Sequence, residues 1–380
     1  MIITWGCIPQ KKKELPKEVQ EVKNLTVHAA DTQPTFEITL EKVISFGSSD
    51  DVLIGRLGDV AVDDSGRVFI ADVQKQLINV FGPDGRFITQ LGREGKGPSE
   101  FSYIKRLQVR NDHLYASDAN FGIRKVGVFT LDTLAGHKTI ILARNKGNYQ
   151  SLNMTYPGID RIFVRNNGTY LAEFISDSAK PTRKWQNVEI RGLLYSLDRS
   201  GKIASDKLFE FKKEIRTYHL GLSPIEPFFG NALTALSSDN SIYWAGPDYF
   251  LIKEYSPEGA YRHAFYYPHK KISLTRESAI EAGVPDLYIK NMRSMDLPES
   301  WPVLRDMKID DRDRLWVATT VKNMKVHQWW VLKQDGQLIA RFNWPRSKPI
   351  QVIKNGYLYT RETEEETGLE QIVRYRFKMD

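Results

Sequence analysis

The 380-residue chain has almost no sulfhydryl chemistry: Cys7 is its one cysteine. A single thiol forms no internal disulfide and builds no cysteine zinc site. Long hydrophobic runs are missing too, since no apolar stretch approaches the ~20 residues that span a bilayer as a helix. Neither sign of charge dominates: 54 Lys and Arg against 47 Asp and Glu leave a net charge of +7. The two signs are interspersed, so the surplus permits an acidic partner without demanding one. The seven histidines (His28, His113, His137, His219, His263, His269 and His327) show no paired metal-ligand spacing. There is no Gly-x-Ser-x-Gly elbow and no phosphate loop. The glycine-rich stretch GREGKGPSE leads into a strand pattern rather than a helix, which removes the phosphate-loop reading.

What is present is aromatic and repetitive. Aromatics make up 11% of the chain, with 8 Trp, 17 Tyr and 18 Phe, a composition that favours strands. A unit of apolar strand, polar turn and aromatic-bearing strand recurs six times: VAVDDSGRVFIAD, LQVRNDHLYASD, IFVRNNGTYLAEF, LTALSSDNSIYWAG, MKIDDRDRLWVAT and IQVIKNGYLYTR. Aligned, the copies match Val68, Leu114, Tyr170, Ile242, Leu315 and Leu358, each followed by Phe69, Tyr115, Leu171, Tyr243, Trp316 or Tyr359. Second hairpins follow, with turns such as GPDGRF, LDRSGKI, SPEGAYR and KQDGQLI. Two hairpins make a four-stranded antiparallel sheet. The sixth copy has only three strands before the chain stops at Asp380, while FEITLEKVISFG, from Phe36 to Gly47, belongs to no hairpin of its own. Pairing that segment with the last three strands closes a ring and removes open edges. The expected fold is therefore all-β: a six-bladed β-propeller of four-stranded antiparallel blades, closed by an N-terminal strand that completes the last blade.

LGREGKGPSEF and VFIADVQKQLINVFGPDGRFI resemble the NHL repeat of six-bladed propellers, and LYASDANFGIRKVGVF carries an eroded version. Lys75 and Leu77 stand where that family usually has Asn and Arg, so the likeness implies a fold and no defined activity. Asp72 and Asp118 fall at the family's repeat aspartate, where a carboxylate accepting backbone N–H bonds in the turn after the second strand is the expected role. The N-terminal stretch MIITWGCIPQ, with Gly6 before Cys7, looks like the tail of a bacterial lipoprotein signal. Its apolar part is shorter than the usual ~7–15 residues and has no basic segment before it. Residues 1–31 are expected to be a signal remnant and tether acylated at Cys7, and residues 32–380 one propeller domain. Together these features resemble bacterial six-bladed propeller lipoproteins. That implies an exported, lipid-anchored protein of the periplasm or outer membrane, or a cytoplasmic one if the signal reading fails.

The spacing between copies indicates where binding occurs. The intervals from Tyr170 to Ile242 and from Ile242 to Leu315 are half as long again as that from Val68 to Leu114. The excess falls at Glu210 to Gly230 and Pro268 to Trp301, with a smaller insert at Ser176 to Gln186. In a propeller all three lie on the face that carries the inter-blade loops, where sites are usually built. Within the second insert, Thr275 reads as a helix cap with Ser278 and Ala279 inside, ending near Gly283, and a second short helix reads from Tyr288 to Met295. These helices would lie over the channel mouth as a partial lid or pad the blade edges.

The first strand of each blade lines the channel, and the position three before its aligned apolar residue reads Asp59, Arg106, Arg161, Leu233, Asp306 and Pro349. Such a ring either satisfies its own charges or uses Arg106 and Arg161 to hold a carboxylate or phosphate. With the loop residues Trp185, Tyr218 and His269, the charged members are the candidate ligand contacts. The expected function is non-enzymatic binding of a protein, glycan or small anionic ligand through the loop-rich face, with no cofactor and with membrane contact through the lipid. One alternative is a metal-dependent hydrolase of the lactonase kind, with calcium in the channel. A second is a nucleic-acid-binding NHL propeller, which export disfavours.

Overall fold

A strand covered on both faces needs apolar residues at consecutive positions, not alternate ones. The second strand of each repeat is of this kind. In the computed structural model of the chain, every member of both aligned series, from Val68 and Phe69 to Leu358 and Tyr359, is buried. The structure describes residues 15–49, 52–119, 123–142, 152, 158–176, 186–218 and 227–380.

The repeats form six four-stranded antiparallel blades, each in the order first to fourth strand. Blade 1 is Leu57–Val62, Val68–Asp72, Leu77–Phe81 and Phe87–Leu91. Blade 2 is Ile104–Arg110, His113–Ala119, Ile123–Thr130 and Gly136–Ile141. Blade 3 is Gly158–Val164, Tyr170–Ser176, Gln186–Leu197 and Phe209–Tyr218. Blade 4 is Leu233–Leu236, Ile242–Ala245, Leu251–Tyr255 and Tyr261–Tyr266. Blade 5 is Leu304–Ile309, Leu315–Thr320, Val326–Leu332 and Leu338–Pro345. Blade 6 takes Ile350–Lys354, Tyr357–Thr363 and Glu370–Met379 from the end of the chain and Ile38–Phe46 from near its start. That closing strand runs antiparallel to the last one, from Ile38 opposite Met379 to Phe46 opposite Ile372.

First strands adjoin around the axis between blades 1 and 2, 2 and 3, 4 and 5, 5 and 6, and 6 and 1, and an apolar cluster fills each interface between blades. Phe69, Phe101 and Phe129 lie between blades 1 and 2. Tyr243, Phe265 and Trp330 lie between blades 4 and 5, and Trp316, Trp344 and Tyr375 between blades 5 and 6. Burying one such side chain contributes roughly 1.5–3 kcal/mol, so the interfaces carry most of the cohesion. The repeat aspartates are structural. The Asp72 carboxylate accepts backbone N–H bonds from Gly55, Arg56, Gln74 and Lys75. Asp118 accepts from Ser102 and Tyr103 and pairs with Lys125 at 3.5 Å. The Asp-Gly turn of blade 5 needs its glycine twice over. Gly336 has φ +87°, and a Cβ there would lie 2.4 Å from Phe265 Cγ.

Two boundaries differ from expectation. Residues 15–31 are not a free tether. A helical turn, Lys17–Gln20, buries Val19 against Leu251, Ala264 and Tyr266. Leu25–Val27 then adds a parallel fifth strand to the outer edge of blade 4. Phe36 next bridges Ala340 of blade 5 before the chain enters blade 6. The expected insert at Glu210 to Gly230 also starts too early. Phe209–Tyr218 is the fourth strand of blade 3, paired from Leu194 opposite Phe209 to Gln186 opposite Tyr218. An unusually long hairpin consumed residues that spacing alone assigned to a loop.

The insert after blade 4 folds as its sequence indicates. Arg276–Glu281 is a helix with a reciprocal capping box between Thr275 and Ser278, followed by Asp286–Asn291 and a 3-10 turn, Met292–Ser294. Ala279, Ile289, Met295 and Trp301 pack with Phe228, from the preceding inter-blade loop, and with Met324 of blade 5. Asn187 of blade 3 donates to the Asp296 carbonyl at 2.6 Å. The insert thus braces the loop-rich ends of blades 3, 4 and 5.

Candidate anion-binding channel

Each first strand starts at the loop-rich end of the channel and finishes at the hairpin-turn end. In five of the six, the ladder slips near the start: between Leu57 and Val60, Ile104 and Arg106, Ile159 and Arg161, Leu304 and Asp306, and Ile350 and Val352. An extra residue in one strand of a pair re-aims the side chains around it. Lys105, Asp160 and Arg305 are the extra residues in blades 2, 3 and 5. They become part of the channel wall or its immediate backing, which strict alternation does not predict.

The expected ring reaches the axis, where two cavities meet. The larger, ≈ 860 Å³, is lined by Asp59, Arg106 and Asp306 and extends to the hairpin turns at Asp64, Ser238 and Asp313. The smaller, ≈ 270 Å³, is lined by Arg106, Arg161, Arg305, Thr234 and Asp306 and extends to Phe229 and Asn231 in the inter-blade loop. Arg106 and Asp306 therefore stand where the channel divides. Leu233 lines the smaller cavity and Pro349 the larger. In blade 6 the alignment is one residue out. Ile353, not Val352, lies opposite Leu358, because that hairpin turns on Asn355 and Gly356 alone.

The acids of the channel are already engaged. Asp59 accepts the Leu107 N–H at 2.8 Å across the blade boundary. Burial pushes its carboxyl above the usual range, and the nearby Arg106 opposes that shift. Asp306 pairs with Lys308 at 2.9 Å and accepts the Met307 N–H. Behind the wall lies a buried ion cluster. Asp160 meets Lys105 at 2.8 Å and Lys213 at 2.9 Å, and Lys213 also pairs with Glu173. Burial would raise the Asp160 carboxyl, but the two ammonium groups hold it well below the usual range.

The arginines are not engaged in this way. Among the described residues, Arg106, Arg161 and Arg305 form no ion pair within 4.0 Å. Arg305 Nη1 and Thr234 Oγ1 are buried without a hydrogen-bond partner. Arg305 also faces two further nitrogen groups of blade 5. Burial, Arg346 and Arg305 together depress His327 to about 3. Burial and Arg305 bring Arg346 down to about 10, with Glu281 of the insert acting the other way. Positive charge accumulates on this side of the channel with little to offset it.

The loop candidates fare differently. Trp185 and Cys7 lie outside the described residues. Tyr218 ends the fourth strand of blade 3, opposite Gln186. His269 is not brought to the channel. Its ring packs near Phe250 and Trp330, Nδ1 lies 3.1 Å from the Lys270 carbonyl, and burial lowers its pKa. The insert helices line neither cavity. Their role among the described residues is to brace the rim.

Six radial four-stranded sheets around a charged axial channel define a six-bladed β-propeller. Comparison with known families agrees, since a family model described as a 6-bladed beta-propeller, DUF5128, matches residues 10–244. The chain belongs to that family. No match to a curated protein was found. Among solved structures, a member of the DUF4221 family from Bacteroides vulgatus ATCC 8482 is similar at 9% identity and TM-score 0.53, covering 90% of this chain and 99% of its own. A candidate exported protein from Bacteroides fragilis NCTC 9343 gives 12% identity and TM-score 0.49 over 93% and 99%. Virginiamycin B lyase from Staphylococcus aureus gives 14% and 0.44 over 90% and 99%. The first of these likenesses speaks to the fold alone, and the other two add nothing to it.

Proposed function

We propose that this propeller is a non-enzymatic binding protein, exported and held at the cell envelope by lipid on Cys7. It takes the anionic group of a small ligand into the loop-rich mouth of its channel. The observation that carries this reading is the cavity wall bearing Arg106, Arg161 and Arg305, with no ion pair to any of them among the described residues. Guanidinium groups present a planar fork of donors suited to carboxylate or phosphate oxygens. Against low-dielectric protein walls such bonds gain strength because screening is weaker than in bulk water. The same cations work against the lactonase alternative, since a divalent metal wants oxygen donors and these positions supply positive charge. No helix among the described residues is long and apolar enough to cross a membrane; in this reading the anchor is the acyl group.

Isothermal titration of the full chain at fixed ionic strength tests the reading, with sodium acetate, sulfate and phosphate as probes. At least one anion should bind with 1:1 stoichiometry. The R106A/R161A double variant should weaken it at least tenfold, about 1.4 kcal/mol. Undiminished binding in that variant, or no binding of any probe, would overturn it.

A further inference from the structure

The smaller cavity carries more hydrogen-bond donors than a single carboxylate needs. They come from several directions: Arg106 from blade 2, Arg161 from blade 3, the Thr234 hydroxyl from blade 4 and Arg305 from blade 5. Lys308 and Asp306 also line it, but they neutralise each other at 2.9 Å. Three guanidinium groups therefore remain without a counter-charge within ion-pair distance among the described residues. A carboxylate is planar, offers two oxygens and carries one charge, so it would leave donors on the far side of the ring unmet. A tetrahedral oxyanion with two charges presents oxygens toward all four blades.

The second observation is the pair of orphaned groups. Arg305 Nη1 and Thr234 Oγ1 are both buried and both lack a hydrogen-bond partner, and both residues belong to the wall of this cavity. Leaving a buried polar group unmet is destabilising, the more so when it is charged. A wall that carries two such groups facing neighbouring blades is suited to a polar occupant. The bulge at Arg305 is what delivers the third guanidinium.

We infer that the smaller cavity is a seat for a doubly charged tetrahedral oxyanion, free sulfate or the phosphate monoester head of a larger ligand, with Arg305 and Thr234 as selecting residues. This rests on the anion-binding reading above and sharpens it from any anion to a dianion. The larger cavity beyond Arg106 offers room for the remainder of the ligand.

The test compares inorganic sulfate, phosphate at pH 8, phosphate at pH 5.5 and acetate by titration of the full chain at matched ionic strength in chloride. Sulfate and the phosphate dianion should each bind at least tenfold more tightly than acetate, and phosphate should weaken at pH 5.5 while sulfate does not. R305Q should abolish the preference, R305K should keep part of it, and T234V should weaken sulfate severalfold. Unchanged melting temperatures of R305K and T234V would separate loss of the seat from loss of the fold. If acetate binds as tightly as sulfate, or R305Q leaves the preference intact, the dianion seat is overturned while anion binding stands. If no anion binds to the wild-type chain, both are overturned. Phosphate exceeding sulfate at pH 8 points to a phosphate monoester as the natural head, and the reverse order to free sulfate.

Discussion

Acidification from pH 7 to pH 5 should destabilise this propeller mainly through His327. The imidazole is buried in blade 5 and faces Arg305 and Arg346, and its pKa is depressed from 6.5 to about 3. In the unfolded chain it titrates at its ordinary value. Between pH 6.5 and pH 3 the unfolded state therefore takes up a proton that the folded state refuses. Stability from this group is complete above pH 6.5 and is lost progressively as pH falls toward 3. A gap of three to four pKa units corresponds to about 4–5 kcal/mol in full, of which about 2 kcal/mol falls between pH 7 and pH 5. The window is informative because Asp160, held low by its lysines, stays ionised throughout it. His28 and His269 are also lowered by burial and add a slope of the same sign. Urea unfolding at half-unit steps of pH measures the slope for the wild type and for H327Q, which keeps a donor toward the Thr319 backbone. The variant should lose most of the pH dependence, leaving the share of the other two histidines and the opposite contribution of Asp59, whose carboxyl burial raises. Equal slopes in the two proteins would refute the burial and the cationic surroundings assigned to His327. R305Q should raise the His327 pKa, readable by NMR, since it removes one of the repelling charges.

Two further outcomes follow from the buried ion cluster and from the N-terminus. K213M should cost roughly 3–5 kcal/mol in urea unfolding, because it strands Glu173, which is 1% exposed, without its cation. The K213M/E173Q pair should recover part of that loss, and equal stability of K213M and wild type would contradict the cluster. Cells expressing the complete gene and fed labelled palmitate should incorporate label into the wild-type protein and none into C7A. Label persisting in C7A would remove the lipoprotein reading.

The blades were legible because their central strands are covered on both sides. Pairs such as Leu315 and Trp316 stand out as consecutive apolar residues at a fixed offset from a turn. Asp72 was legible because a carboxylate after a strand and before a polar turn has few other uses. Asp59, Arg106, Arg161 and Asp306 did reach the axis, since counting back from an apolar anchor works within one ladder. Arg305, Lys105 and Asp160 were hidden because each is the additional residue of a bulge, and a bulge leaves no mark in a pattern of period two. Lys213 was hidden for a related reason. It sits where the ladder between the third and fourth strands of blade 3 slips, and its partners are distant in sequence. The clasp at residues 17–27 escaped notice because only a few apolar residues, Val19 and Leu25 among them, dock among many charged ones. Short segments of that composition read as solvated chain.

Ile38 finds its partner in Met379, and the residues between them are nearly the whole molecule. During synthesis the leading strand therefore waits, its edge unpaired, until Glu370–Met379 emerges. Hairpins can form locally and early, but the circle is sealed last, by the slowest kind of contact to make. A prematurely terminated product keeps an open seam between the fifth and first blades and presents it to proteases and chaperones. Arrival of Glu370–Met379 is thereby written into the propeller's resistance to degradation.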